Sequence, residues 1–241
     1  FNEEAFKKNV LEGLAIVAAK NSFLTMGVKP TRPEPGYGYI QMGDPQEKYV
    51  YKVKSFTEKP DREFAKMFMD SGEFYWNTGL FLSNVNHLRE EFSRFLPPVL
   101  RSLDEINVHA SVQEEENYMQ EHFTAYPNLS VDMGILEKSD HVSVMKCEFG
   151  WADVGTWHGI YEALPKNNEN NVVIDSDVIL DNCHGNIIKL PKGRLGVIYG
   201  LEDFIVAEKD NVLLICKKED SSDLVRKYVN ETQMKKGEDF V

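Results

Sequence analysis

The chain has 241 residues, 42% hydrophobic and 27% charged, with 39 acidic against 27 basic side chains and a net charge of −12. This is an ordinary globular balance that can build a core, but it argues against wrapping nucleic acid, where each phosphate contact needs a cation. No apolar run approaches the roughly 20 residues of a membrane span. No signal-peptide pattern opens the chain, and Cys147, Cys183 and Cys216 are odd in number and lack a C-x-x-C, so reduced, structural thiols in a cytoplasmic protein are expected.

Asn2 can cap a helix with Glu3 and Glu4 in its first turn and Phe6, Val10, Leu14 and Val17 on one face. Phe23 to Val28 reads as a buried strand, and Lys29 to Gly38, with its prolines and glycines, as a shaped loop. Tyr49 to Val53 is a strand leading into Phe56, Asp61 to Met69 a short helix, and Gly79 to Leu82 a central strand. Helices follow near Val85–Phe95, Pro98–Ile106 and Val112–Phe123, broken at Pro97-Pro98. From Asn170 the texture changes to short apolar strands at Asn171–Ile174, Val178–Leu180, Asn186–Ile188, Leu195–Ile198, Phe204–Val206 and Val212–Ile215. Asp, Asn and Gly separate them, the spacing of an all-β unit. The expected division is therefore 1–166 and 167–241, with an amphipathic helix from Ser222 to Met234 closing the second part.

Four polar islands sit at strand ends. Glu58-Lys59-Pro60 presents a carboxylate and an ammonium where the proline biases Lys59 to an extended backbone. Lys59 can neutralise a phosphate and Glu58 can accept from vicinal hydroxyls. A strand-to-helix turn with two surface charges accounts for the same residues. In Trp76-Asn77-Thr78-Gly79, Asn77 offers a donor and an acceptor and Gly79 allows close backbone approach; a turn entering a strand is the plain alternative. The glycine amides of Gly36-Tyr37-Gly38 can lie against a ring face, as can those of any generic loop. Asp153 lies in the apolar, glycine-flanked stretch Phe149 to Gly155. A carboxylate there needs a partner or a metal, and one aspartate with phosphate and waters suits Mg²⁺, whereas capping of a helix from Thr156 is the structural alternative. The six histidines show no metal-ligand spacing.

Taken in order, these islands resemble the mannose-1-phosphate guanylyltransferases of the sugar-phosphate nucleotidyltransferase superfamily. The resemblance rests on Thr25-Met26-Gly27-Val28-Lys29-Pro30-Thr31-Arg32-Pro33-Glu34-Pro35-Gly36-Tyr37-Gly38-Tyr39-Ile40, then Phe56-Thr57-Glu58-Lys59-Pro60, Trp76 to Phe81, Ser130-Val131-Asp132 and Trp151 to Trp157. It implies an α/β fold with a Rossmann-like mixed sheet of the nucleotide-diphospho-sugar transferase type, incomplete at its N-terminus, and a C-terminal β-rich appendage that dimerises. The implied reaction joins mannose 1-phosphate and GTP into GDP-mannose and pyrophosphate. Gly38, Glu58, Asn77, Thr78 and Gly79 are implied to line the mannose pocket. The implied catalytic residues are Lys59, on the sugar phosphate, and Asp153, on Mg²⁺.

The resemblance begins downstream of the family's glycine-rich, arginine-ending loop and its Asp-His pair. The chain is therefore expected to be part of a longer enzyme, to leave apolar sheet surface uncovered, and to be unable to turn over GTP alone. Three rival readings stand beside this one: a nucleotidyltransferase for another hexose 1-phosphate, a non-catalytic sugar-nucleotide-binding or regulatory subunit, and a glycosidase pairing Glu58 with Asp153.

Overall fold

The computed structural model describes residues 1–107, 109–218 and 221–237. The chain divides into two compact units, Phe1–Pro33 with Tyr37–Gly150, and Glu34–Gly36 with Trp151–Val241.

The first unit opens with helix α1 (Glu3–Ala19), whose Ala5 amide donates to Asn2 Oδ1 at 3.0 Å. Gly13 and Val17 are its buried positions, whereas Leu14 is exposed. Gly13 takes the place assigned to Leu14 because the sheet approaches closely: a Cβ there would lie 2.6 Å from Leu82 Cδ1. Five strands follow, β1 (Phe23–Val28), β2 (Tyr39–Glu47), β3 (Val50–Thr57), β4 (Phe74–Leu82) and β5 (Val142–Cys147), with helix α2 (Arg62–Ser71) between β3 and β4. Helices α3 (Val85–Phe95), α4 (Pro97–Asp104) and α5 (Val112–His122) and a π-helical turn (Asp132–Leu136) lie between β4 and β5.

The sheet is mixed, as expected for an α/β fold: β1 pairs with β5 in parallel and with β4 antiparallel. It is also closed, in the order β1-β4-β2-β3-β5, because β5 pairs with β3 as well as with β1. Each of these strands therefore has a neighbour on either side, although β2 meets β4 only over Tyr39, Ile40 and Gln41. Its core gathers Phe23, Val142, Ile135 and Leu136 with Phe56, Phe81, Leu88 and Phe92. That cluster ties the π-helical turn and α3 to the sheet.

In the second unit, α6 (Trp157–Ala163) precedes strands β6 (Val172–Ile174), β7 (Asp177–Asp181), β8 (Ile187–Lys189), β9 (Leu195–Tyr199), β10 (Phe204–Lys209) and β11 (Val212–Lys217), then α7 (Ser221–Lys236). Alternate strands stack in parallel, β6-β8-β10 in one sheet and β7-β9 in another, so the chain coils. Ile188, Leu190 and Val206 pack against Val178, Leu180 and Ile198 between the two sheets. The Asp and Asn punctuation supplies the corners: Asn170, Asp175, Asn182, Asp203, Asp210 and Asn211 all have positive φ, which these residues tolerate better than most. Two fully buried asparagines join successive turns. The Asn186 backbone and side-chain amides donate to Asn171 Oδ1 at 2.9 and 2.8 Å, and Asn186 Oδ1 accepts from the Phe204 amide at 2.8 Å.

All three cysteines are free and buried, and burial pushes the Cys147 thiol up to about 12, the behaviour of inert structural thiols. Among the described residues no helix is long and apolar enough to cross a membrane.

Candidate active site

Strand register assembles the first group. Tyr39 of β2 pairs with Thr57 of β3 on one side and with Trp76 of β4 on the other. One step along these antiparallel pairs, Gly38 falls between Glu58 and Asn77. The Asn77 amide accordingly donates to the Gly38 carbonyl at 2.8 Å, and one residue further the Lys59 amide donates to the Tyr37 carbonyl at 3.2 Å. A Cβ on Gly38 would lie 2.7 Å from Glu58 Oε2 and 3.4 Å from Asn77 Cβ. Glycine here lets the Glu58 carboxylate come close, and its own dihedrals do not demand it.

The Trp76 to Gly79 island is not a turn entering a strand, as the sequence allowed, but a bulge inside β4. Thr25 of β1 pairs with Phe81, yet Gly27, two residues on, pairs with Asn77. The two surplus residues on β4 must leave the pleat, and bulges of this kind re-aim side chains. Gly79 absorbs the bend at φ +73°. The Thr78 hydroxyl donates to the Met26 carbonyl at 2.7 Å, fastening the bulge to β1. Asn77 Oδ1 accepts from the Gly79 amide at 3.0 Å, and its Nδ2 donates to Asp132 Oδ1 at 2.9 Å.

The expectation of an extended Lys59 is corrected: its φ is +45°, in the left-handed region. The following proline disfavours a right-handed backbone, and the Lys59 amide donates to the Tyr37 carbonyl in the conformation adopted. The Lys59 ammonium stands 3.2 Å from Glu58 Oε1, with both side chains about half exposed (53% and 47%). Pattern reading gave no role to two nearby carboxylates. Asp132 starts the π-helical turn, and Glu137 caps its end. The Glu137 carboxyl is pushed up, first by partial burial and then by the negative charges of Asp132 and Glu58. Beneath the group, Tyr37 and Trp76 meet edge to face at 5.0 Å, with the Arg32 guanidinium 5.0 Å from the Trp76 ring centre.

Asp153 belongs to the second unit and sits in a tight turn of its own. Its Oδ1 accepts from the Gly155 amide at 2.8 Å, while its carbonyl accepts from the Thr156 hydroxyl at 2.9 Å. Thr156, not Asp153, caps α6, its Oγ1 accepting from the Gly159 amide at 3.1 Å. The capping alternative for Asp153 is thus taken by Thr156, and the Asp153 carboxylate lies outside the helix. Among the described residues no group of three or more His, Cys, Asp or Glu could hold a metal ion. A single carboxylate oriented by a backbone amide is nonetheless a donor of the hard-oxygen type that Mg²⁺ takes when phosphate and water complete its shell.

A mixed α/β sheet that gathers glycine, amide, carboxylate and ammonium around Gly38 defines a candidate small-ligand site. Residues 3–170 match the family model described as Nucleotidyl transferase. The chain belongs to the nucleotidyl transferase family. It is 30% identical over 237 residues to a mannose-1-phosphate guanylyltransferase of Escherichia coli (strain K12), covering 95% of this chain and 48% of that protein. The figures are the same for the mannose-1-phosphate guanylyltransferase ManC of Salmonella typhimurium (strain LT2), again 30% over 237 residues, 95% and 48%. The chain thus spans about half the length of the curated relatives it matches. Among solved structures, that of a mannose-1-phosphate geranyltransferase, so described, from Thermus thermophilus aligns with a TM-score of 0.74 at 28% identity. The alignment covers 96% of this chain and 66% of that one.

Proposed function

We propose that this chain supplies the sugar-phosphate and metal-binding residues of an enzyme that makes GDP-mannose and pyrophosphate from GTP and mannose 1-phosphate. The observation that carries the reading is the placement of Gly38 between Glu58 and Asn77, with the Lys59 ammonium 3.2 Å from Glu58. Family membership and the names of the relatives support the choice of substrates.

In this reading Glu58 accepts from sugar hydroxyls, Asn77 both donates and accepts, and Gly38 lets both side chains stand close together. Lys59 gives up part of its pairing with Glu58 to hold the sugar phosphate. An oxygen of that phosphate attacks the α-phosphorus of GTP, the bond from that phosphorus to the β-phosphate oxygen breaks, and pyrophosphate leaves. Such a transfer needs no protein nucleophile; positioning and charge neutralisation lower the barrier. Asp153 would hold Mg²⁺, and when bound the ion neutralises phosphate charge. We infer in addition that the second unit serves self-association, a role supported by the outward Val197 and Tyr199 of β9, 72% and 73% exposed.

Calorimetric titration with GDP-mannose and Mg²⁺, repeated on Lys59→Ala and Asp153→Ala, tests the assignment. Binding weakened by both substitutions is expected. A folded chain that binds equally well with either residue removed would overturn it.

A further inference from the structure

We propose that Asp132 is a positioning residue: it fixes which end of the Asn77 amide faces the candidate sugar site. This rests on the sugar-phosphate reading above and adds to it the residue that sets the sense of its hydroxyl recognition.

The argument starts from the chemistry of an amide. Oxygen accepts and nitrogen donates, and the two ends of an asparagine side chain can exchange places by rotation. At Asn77 both ends are specified by groups that cannot exchange roles. The Gly79 amide can only donate, and it reaches Oδ1 at 3.0 Å. An ionised Asp132 can only accept, and it takes Nδ2 at 2.9 Å. A rotated amide would set N–H against N–H and lone pair against lone pair. The first partner is local, two residues along the bulge of β4. The second lies 55 residues away in sequence and is the one that reports on the tertiary fold.

Asp132 sits on a support built to hold it. Met133, the next residue, donates its amide to Ser130 Oγ at 3.2 Å. Gly134, Ile135 and Leu136 of the turn are buried, and a Cβ on Gly134 would lie 3.1 Å from Leu96 Cδ1. A π-helical turn wedged in a core is a costly local conformation that often marks a functional site. Here it carries a half-buried carboxylate to the one side chain flanking Gly38 that has both a donor and an acceptor.

With the amide fixed, one N–H of Nδ2 and one lone pair of Oδ1 remain for a ligand, in a set order along the site. Nδ2 lies 3.7 Å from where a Cβ on Gly38 would be, so the donor end stands beside Gly38. Glu58, an acceptor only, borders the other side at 2.7 Å from the same point. A sugar is therefore read by an acceptor on one flank and a donor on the other, and inverting Asn77 would invert half of that pattern.

The test compares Asp132→Ala, Asp132→Asn, Asn77→Ala and the double variant Asp132→Ala/Asn77→Ala, each checked for folding. The carbonyl of an asparagine at 132 can still accept from Nδ2, so Asp132→Asn should keep the geometry without the charge. In the ligand-free chain, the side-chain NH₂ pair of Asn77 in a ¹⁵N correlation spectrum should be distinct in wild type and Asp132→Asn and should shift toward free-amide positions in Asp132→Ala. Mannose 1-phosphate affinity should fall about tenfold or more in Asp132→Ala, stay within about threefold in Asp132→Asn, and show no further loss when Asp132→Ala is added to Asn77→Ala. A loss of equal size in the Asn77→Ala background, or an unmoved Asn77 NH₂ pair in Asp132→Ala, overturns the proposal. If the wild-type chain binds no sugar phosphate, the sugar-phosphate reading fails and the NH₂ spectrum alone decides the role of Asp132. If Asp132→Ala does not fold, Asp132→Asn decides, because a displaced NH₂ pair there contradicts a role carried by geometry.

Discussion

The Cβ of any side chain introduced at position 38 would arrive 2.7 Å from Oε2 of Glu58, inside van der Waals contact. The register of β2 with β3 fixes that approach, and Glu58 can answer it only by swinging away. Gly38→Ala should therefore fold normally, because the crowded atom ends a flexible chain, yet lose about tenfold in sugar-phosphate affinity. On a Glu58→Ala background the same change should cost little, since the clash is gone. Titration of the two single variants and the double variant checks this, and additive losses would contradict it.

Lys59 combines a positive φ of +45° with an ammonium on the site. Lys59→Ala and Lys59→Gly both remove the charge, but only glycine occupies that backbone region without strain. The glycine variant should be the more stable of the two by about 1 kcal/mol, while both lose phosphate affinity alike. Urea midpoints alongside ligand titrations separate the two effects. Equal midpoints would mean that the Lys59 backbone carries no strain.

These residues also show where sequence reading succeeds. Most elements outside the site followed from pattern: β1 and α3 occupy the expected Phe23–Val28 and Val85–Phe95, and the short strands of the second unit lie where Asp, Asn and Gly punctuate apolar runs. Two strands did not. β2 contains Gly43-Asp44-Pro45, which reads as a turn, and it pairs with β3 only through repeated register shifts. β5 is almost wholly buried but short, and Ser143 and Lys146 interrupt its apolar run. Missing them hid the closure of the sheet. At the site, local signals marked Gly38, Glu58, Lys59 and Asn77, because glycine, proline and polar residues stand out at strand ends. Asp132 stands out only as part of Ser130-Val131-Asp132, with no role attached, and Glu137 carries no local mark. Their role arises from a π-helical turn packed against residues distant in sequence, and periodicity does not announce such a turn.

Gly159 shows how closely the Asp153 turn is built. A Cβ there would fall 1.9 Å from the Asp153 carbonyl oxygen, a backbone atom that cannot swing aside. Gly159→Ala must displace either the turn or the start of α6. We expect a loss of about 1–3 kcal/mol together with weaker Mg²⁺-dependent ligand binding. Thermal unfolding combined with metal titration checks it; an unchanged midpoint would mean that the helix start shifts freely.

The buried Asn186 should be the most sensitive polar position of the second unit. Removing its side chain leaves the Phe204 amide without the acceptor it now has at 2.8 Å, while the Leu201 carbonyl keeps only the His184 amide at 3.0 Å. Asn186→Ala should cost about 2–3 kcal/mol, with the loss seen as early hydrogen exchange of β8 and β10. Exchange rates unchanged in those strands would show that water replaces the asparagine at no cost.

His87 gives the fold a pH dependence of definite sign. It is 3% exposed beside Phe23, and burial pulls its pKa below 6.5, helped by His141 and opposed by the carboxylates of Glu91 and Glu90. In the unfolded chain the imidazole regains its ordinary value and takes up a proton first as the pH falls. The unfolded state then binds more protons than the folded one, so stability drops as pH falls below 6.5 toward the folded value and is level above that window. His87→Leu keeps an apolar contact with Phe23 and removes the titration. Urea midpoints should fall more steeply between neutral and mildly acidic pH in wild type than in His87→Leu. Parallel pH profiles would mean that the buried ring is protonated as readily as a free one.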